Sequence, residues 1–537
     1  MKLKLLYASV SLITASFFFN SNIANAQSGL ENSFGTDGEV NTNIGDGFAE
    51  IRTVIELNDS KLLAIGTFEA NGGATDDQVN LAVARYSANG SLDTTFGTNG
   101  TTIFQVSGLG TFVEDGIVDA SGRILIVGGT LDSAENERAF LLRLLANGSL
   151  DNSFGTNGVV ITNYNTTMAA FASSVLLQSN GSIVIAGAVF RDEANSQFVG
   201  NYALARYNTS GVLDTTFGSS GVTISDFDTN RAEIIFSLNL QSDGKLIAAG
   251  NSFLDNGANT NPDDDDVIAA RYNVNGSLDT AFGVNGLGTV NFTNQSTFVS
   301  DSKLQADGKI VIAGDIFDAV SDDFLIVRLN ADGSVDNTFD TDGIVTTNFI
   351  GSDDGIQEGV AVNILADGKL LIIGDVNNST TSTDFIGIAR YLTNGTLDSS
   401  FRDDGQFLFQ SDNAFLSDAI IVSGDLLAAG SNTTGSSSSD DFYLAKFLLS
   451  NTLSLEYLIE TEISVYPNPV KEFLTVNFGE LATETELTLF NILGKKVFTI
   501  TAQKALETLN IASLAKGVYL LKITQNDQSK TFKILKD

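Results

Sequence analysis

Seven copies of one phrase recur along this chain: an aliphatic residue, an acid, two small residues and Phe ahead of a turn, as in Leu92-Asp93-Thr94-Thr95-Phe96-Gly97. The Phe falls at 34, 96, 154, 217, 282, 339 and 401, in steps of 57 to 65 residues with a mean near 61. Such a period demands one supersecondary unit built over and over, each unit burying its faces against its neighbours.

The third unit shows what is repeated. Gly158 opens the apolar run Val159-Val160-Ile161, and further runs follow at Ser174 to Gln178, Ser182 to Val189 and Tyr202 to Tyr207. Asn157-Gly158, Asn180-Gly181 and Ser210-Gly211 supply turn chemistry between them, and Asp243-Gly244, Asp307-Gly308 and Asp367-Gly368 repeat it elsewhere. Four strand-sized runs per unit and seven units predict an all-β chain whose main body is a seven-bladed β-propeller.

Two further regularities have structural explanations. The third run of every unit is followed by Gly, at 66, 128, 187, 250, 314, 374 and 430, where the lack of a Cβ lets another backbone or a ring approach closely. Arg85, Arg143, Arg206, Arg271, Arg328 and Arg390 end the fourth run, each followed eight residues later by an acid: Asp93, Asp151, Asp214, Asp279, Asp336 and Asp398. The same pair in every unit reads as a cross-strand clamp at a blade junction. In the seventh unit Lys446 replaces Arg and Ser454 stands where the acid belongs. The orphan phrase at Leu30-Glu31-Asn32-Ser33-Phe34 supplies the missing part, so the N-terminus is expected to close the ring with Glu31 near Lys446.

The motif pair typified by Asp323-Phe324-Leu325-Ile326-Val327-Arg328 and Gly333-Ser334-Val335-Asp336-Asn337-Thr338-Phe339 resembles the delta-60 repeats of secreted bacterial proteins. The resemblance runs from about Leu30 to Glu456 and implies a propeller-like domain without a settled activity. Two copies depart from Phe-Gly, at Phe339-Asp340 and Phe401-Arg402, where altered turn geometry is expected.

Residues 1–26 read as a secretory signal: Lys2 and Lys4 precede an apolar stretch from Leu5 to Phe19, and Ala24-Asn25-Ala26 forms a cleavage site. No later stretch is long and apolar enough for a transmembrane helix. Residues 27–458 hold 56 acids and 18 bases, a net of −38, whereas residues 459–537 hold nine of each. The acidic body excludes nucleic acid and anionic lipid as natural partners and keeps the protein solvated. Without Cys or His there are no disulfides, thiolate sites, His-based triads or imidazole acid–base chemistry.

From Ile463 the composition shifts, and two of the chain's three prolines occur in Val465-Tyr466-Pro467-Asn468-Pro469. Strands are predicted at Phe473 to Phe478, Glu486 to Leu493, Lys496 to Thr501, Gly517 to Thr524 and Lys530 to Leu535, with a hairpin turn at Leu493 to Lys496, forming a small C-terminal β-sandwich. Tyr466-Pro467-Asn468-Pro469, Leu489 to Val497 and Leu514 to Ile523 closely resemble the type A C-terminal sorting domain of the Bacteroidetes type IX secretion system. The resemblance implies recognition by that machinery through residues 463–537, removal of the tail, and release or attachment at the cell surface. The organisation expected is a signal at 1–26, a propeller at 27–447, a linker at 448–462 that is open to cleavage, and a sorting domain at 463–537.

Carboxylates are the remaining catalytic chemistry, and no pair among them stands out in the sequence. The most variable segments, Glu69 to Asp77, Asp132 to Glu137, Arg191 to Gln197, Ser252 to Asp266, Asp315 to Asp323, Asp375 to Asp384 and Ser431 to Asp441, gather on one rim, where a glycan or protein ligand would be selected. Asp263, Asp264, Asp265 and Asp266 offer oxygen ligands for calcium, without a spaced Asp-x-Asp-x-Asp-Gly loop. No other cofactor is implied. The favoured function is a binding or structural module; a carboxylate-dependent glycan hydrolase or lyase, and a calcium-stabilised adhesion or surface-layer component, are the alternatives.

Overall fold

The computed structural model describes residues 29–537 except 71–78, 107–109, 134–135, 163, 165–168, 193–197, 229–230, 254–264, 294, 318–321, 351–354, 382, 403, 412, 434–439, 450–463, 479–484, 492–494, 503 and 526–527. Among the described residues every regular element is a β-strand. They divide into two compact units that part near Asn451, a propeller and a C-terminal sandwich.

The propeller has seven blades of four antiparallel strands. In blade 1 these are Gly47–Glu56, Leu62–Ala70, Val79–Tyr86 and Thr101–Phe104, hydrogen-bonded in that order. The middle strands are apolar without alternation because both faces of a blade are covered. Leu62 and Ala64 pack into the core shared with blade 7, whereas Leu63 and Ile65 pack into that shared with blade 2. One such core lies between each adjacent pair of blades. The Phe of every phrase is at most 1% exposed within one of them, where a buried ring contributes about 1.5–3 kcal/mol.

Blade and sequence repeat are out of phase by one strand. Val159–Thr162, the first run of the third unit, pairs with Glu137–Leu144 and is therefore the outer strand of blade 2. The same offset leaves blade 7, built from Ala414–Val422, Asp425–Thr433 and Asp440–Phe447, without a fourth strand of its own. Glu39–Thr42 supplies it, antiparallel to the third strand in the register Glu39 to Ala445 through Thr42 to Phe442. The Glu31 N–H donates to the Lys446 carbonyl at 2.8 Å, and Leu448 N–H to the Gly29 carbonyl at 2.8 Å. Glu31 and Lys446 adjoin through the backbone while their charged ends take other partners: the Glu31 carboxylate accepts from Ser33 Oγ (2.7 Å), and Lys446 Nζ lies 3.7 Å from Asp425.

Each first strand carries a β-bulge. Pairing with the second strand slips by one residue at Arg52, Glu114, Ser173, Phe236, Ser300, Val360 and Ser417. Opposite each bulge lies the repeated glycine of the second strand, where a Cβ would overlap a first-strand carbonyl, as at Gly66 against Glu50. The two altered phrases keep the turn: Asp340 (φ 52°) and Arg402 (φ 44°) adopt the left-handed conformation that Gly97 takes at 51°. Asp340 N–H still donates to the next blade, at Asn394 O (2.6 Å). At the ring seam Arg402 Nη2 instead reaches the Leu448 carbonyl at 2.8 Å.

Leu448 and Leu449 belong to the propeller, so the boundary expected at 448 moves: Leu449 is 7% exposed and packs into the core between blades 6 and 7. Most of the expected linker lies outside the described residues, as do the signal segment and Leu493-Gly494 of the predicted hairpin turn. The tail is a sandwich of a three-stranded sheet (Ser464–Tyr466, Phe473–Asn477, Leu506–Asn510) and a four-stranded one (Lys496–Ala502, Thr485–Asn491, Gly517–Gln525, Gln528–Lys536). Leu474, Val476, Leu487, Leu489, Leu521 and Ile534 fill its core. Ser464–Tyr466 and Leu506–Asn510 are strands that the sequence pattern did not reveal, each being short and half exposed.

Candidate functional site: the mouth of the ring

The repeated Arg–Asp pairs lie at the blade junctions. Arg85, Arg143, Arg206, Arg271, Arg328 and Arg390 each donate from Nε to the acid eight residues on, at 2.7–2.9 Å. Each guanidinium also stands 4.2–4.7 Å over the ring of its own phrase's Phe. Among the described residues, Arg85, Arg143, Arg206, Arg271 and Arg328 reach on to a carbonyl of the next blade, as Arg143 Nη1 does to Thr209 O at 2.5 Å. All six acids are held below the usual carboxylate range. For Asp93, Asp151 and Asp214 the largest cause is the hydroxyl two residues on; for Asp279 it is the bond from Lys245. In Asp336 and Asp398 burial pulls the other way and the hydrogen bonds outweigh it. Carboxylates held in this way are committed to the blade junctions.

The first strands contact one another in sequence around the ring and enclose its axis. Asp418 of blade 7 accepts from Val54 N–H (2.8 Å) and Thr53 Oγ1 (3.1 Å) of blade 1, and Asp115 of blade 2 accepts from Val175 N–H (2.9 Å) and Ser174 Oγ (3.1 Å) of blade 3. Burial pushes Asp115 up to about 7, helped by the charge of Asp418. Lys303 of blade 5, paired with Asp301 at 2.7 Å, feels both Asp115 and Asp418. Blades 2, 5 and 7 do not adjoin, so these charges act on one another across the axis.

At one end of the axis, where the first strands begin, the repeat is abandoned. Two residues before each bulge stand Glu50, Phe112, Phe171, Ile234, Phe298, Glu358 and Phe415, which divide the mouth into two arcs. One is aromatic: Phe171 stacks on Phe190 (5.8 Å), and Phe236 meets Phe298 (4.7 Å). Phe298 of blade 5 is 45% exposed, and Phe415, on blade 7 within the second arc, is 54% exposed. The other is acidic and extends from blade 5 through blade 2. Burial pushes Asp315 well up, with the charges of Glu358 and Asp322 adding to it; Asp375 is pushed up by burial and by Glu358, Asp384 and Glu50. Arg52 lies inside this arc, bonded to Glu50 and Glu114 at 2.9 Å each. Next to Glu114, burial and that neighbour's charge push Glu137 up to about 7, and Glu137 Oε1 has no hydrogen-bond partner among the described residues.

Sequence reasoning passed over these groups because it placed Asp315 to Asp323 and Asp375 to Asp384 in loops; Asp315, Asp323, Asp375 and Asp384 are strand residues. The signal was present: the residue after the repeated glycine is Thr67, Gly129, Ala188, Asn251, Asp315, Asp375 and Ser431, an acid in two adjacent units only. Of the calcium candidates, Asp263 and Asp264 lie outside the described residues. Asp266 lies 3.3 Å from Arg231 Nη2 and accepts from Phe292 N–H at 3.3 Å, while Asp265 N–H donates to Gln295 O. Among the described residues no cluster of three or more acids has the arrangement of a metal site. A groove of about 590 Å³ bordered by Asp340, Thr347, Tyr391 and Gln406, and another of about 320 Å³ beside Lys245 and Val274, lie away from the axis and open to solvent. No helix of the described residues is long and apolar enough to cross a membrane.

Residues 57–96, 120–154, 178–217, 241–282, 305–339 and 365–401 match the "Domain of unknown function (DUF5122) beta-propeller", and residues 464–537 match the "Secretion system C-terminal sorting domain". Each matched repeat ends on the Phe of a phrase; the seventh repeat, split by ring closure, has its phrase at Phe34. Ulvan lyase NLR42 of Nonlabens ulvanivorans is 25% identical over 159 residues, 29% of this chain, and the chain spans about a quarter (26%) of that lyase's length. Two solved structures are similar in fold: a PL25 ulvan lyase bound to a glucuronate–rhamnose repeat (12% identity, 76% of this chain and 94% of that one, TM-score 0.44) and the polysaccharide lyase Uly1 (10%, 80% and 94%, 0.44). The chain carries six repeats of the DUF5122 β-propeller family and the sorting domain by which the type IX secretion system exports it to the cell surface or beyond.

Proposed function

We propose that this protein is an extracellular binding module whose ligand docks on the mouth of the ring. The observation that carries this reading is the contrast between the two parts of the axis. Charged groups of blades 2, 5 and 7 along its interior already have partners on their own or neighbouring strands, while the mouth exposes Phe298 and Phe415 beside the non-repeated acids. Exposed rings supply area at little entropic cost, and interior charges that already have partners suit docking at the mouth better than a deep reaction pocket. Glycan and protein arrays probed with the purified propeller test the reading. Phe298→Ala combined with Phe415→Ala should abolish the strongest signal while the melting temperature holds; unchanged binding by the double variant overturns it.

A second reading, a carboxylate-dependent glycan hydrolase or lyase, is favoured by one arrangement. Glu114 is ion-paired with Arg52, while burial and the Glu114 charge push its neighbour Glu137 up to about 7, the kind of raised carboxyl that a general acid uses. Incubation with soluble polysaccharides, followed by reducing ends and by absorbance of unsaturated products, tests it. Turnover that Glu137→Gln removes would establish it; none on any polysaccharide that binds would exclude it.

A further inference from the structure

In blades 1, 4 and 6 the residue after the glycine of the second strand accepts a bond from the next blade, and in blade 5 an acid at that place does not. Thr67 Oγ1 accepts the N–H of Val113 (3.2 Å), Asn251 Oδ1 that of Val299 (2.7 Å), and Asp375 Oδ2 that of Leu416 (2.9 Å), each on the first strand of the next blade. Asp315 holds the equivalent place, is 8% exposed, and has neither a hydrogen-bond nor an ion-pair partner among the described residues. The fold supplies this carboxylate with no donor of its own among the described residues. Its surroundings are acidic: Glu358, exposed on the neighbouring blade, and Asp322 both press on it electrostatically, and Glu358 in turn adjoins Asp375. Phe298, the register partner of Asp315, presents a half-exposed ring.

We propose that this sector of the mouth binds an amino sugar, with Asp315 and Glu358 as counter-charges for its ammonium group and the Phe298 ring as the face on which the sugar stacks. The inference rests on the binding-module reading above and names its ligand class. An ammonium donates the hydrogen bonds that Asp315 lacks, and its charge offsets a repulsion that no base among the described residues of this sector relieves. A neutral N-acetyl group does neither. Because burial and like charge raise both Asp315 and Glu358, binding should weaken as pH falls and these carboxylates take up protons.

Calorimetric titration of the full chain with a glucosamine tetramer, an N-acetylglucosamine tetramer and tetralysine tests this. The glucosamine tetramer should bind, and the other two should be weaker by about tenfold or more, the scale of a charge-assisted hydrogen bond. Asp315→Asn and Glu358→Gln should each cost about tenfold for the glucosamine tetramer without lowering the melting temperature. Equal binding of the acetylated tetramer overturns the role of the ammonium while leaving a glycan-binding mouth. Tetralysine binding as tightly overturns the sugar. No binding of any of the three, beside array signals that the double Phe variant abolishes, overturns this inference alone; array signals that the double Phe variant leaves unchanged overturn the parent reading as well.

Discussion

Arg143 shows why the most conspicuous residues of the chain are not its functional ones. Its side chain is 4% exposed, bonded to Asp151 at 2.8 Å and to Thr209 O on the next blade, and stacked at 4.2 Å on Phe154. Removing one partner of such a pair strands the other in low dielectric, so Arg143→Ala should cost about 3–5 kcal/mol in chemical denaturation. Adding Asp151→Asn should recover part of that loss. Asp340 presents the opposite case, a non-glycine held at φ 52° where five of the other phrases have Gly. Its backbone N–H bond survives substitution, so Asp340→Gly should raise stability by about 0.5–1 kcal/mol, seen as a higher denaturation midpoint.

At the scale of elements, ring closure depends on a strand contributed from the far end of the chain. Deleting residues 27–42 removes the outer strand of blade 7, the Glu31–Lys446 backbone bond and the burial of Leu30 and Phe34. The truncated protein should lose the cooperative thermal transition of the propeller, whereas deleting 464–537 should leave that transition where it is. Much of this was legible in the sequence, since strands, turns, clamps and the orphan phrase all recur at a fixed spacing. The phase of the blade was not, because a periodic sequence has no intrinsic starting point and only pairing shows that Val159–Thr162 belongs to blade 2. The bulges were hidden because Arg52, Glu114, Ser173, Phe236, Ser300, Val360 and Ser417 share no chemistry; only the glycine opposite them is constant. The acidic sector of the mouth was hidden for a related reason, since two unrepeated acids after a repeated glycine carry no periodic signal.

The whole molecule holds two sets of carboxylates that pull stability in opposite directions with pH. Asp115, Glu137 and Glu233 have folded values near 7, above their unfolded ones, so their contribution is full below the ordinary carboxylate pKa and is lost as pH rises through 7. The clamp acids have folded values below their unfolded ones, so theirs is present above the ordinary pKa and disappears as pH falls through the depressed values. The melting temperature should therefore peak near about pH 5, decline toward pH 8 and drop steeply below about pH 3, as calorimetry across that range would show. All of this presupposes a closed ring, with every repeated residue serving a junction and the unrepeated ones free to bind. Hydrogen exchange at Glu39–Thr42 tests that closure most directly. The account predicts that these amides, which pair with Phe442–Ala445, exchange as slowly as those of other outer strands such as Val159–Thr162. Exchange at the rate of an unstructured chain would contradict it.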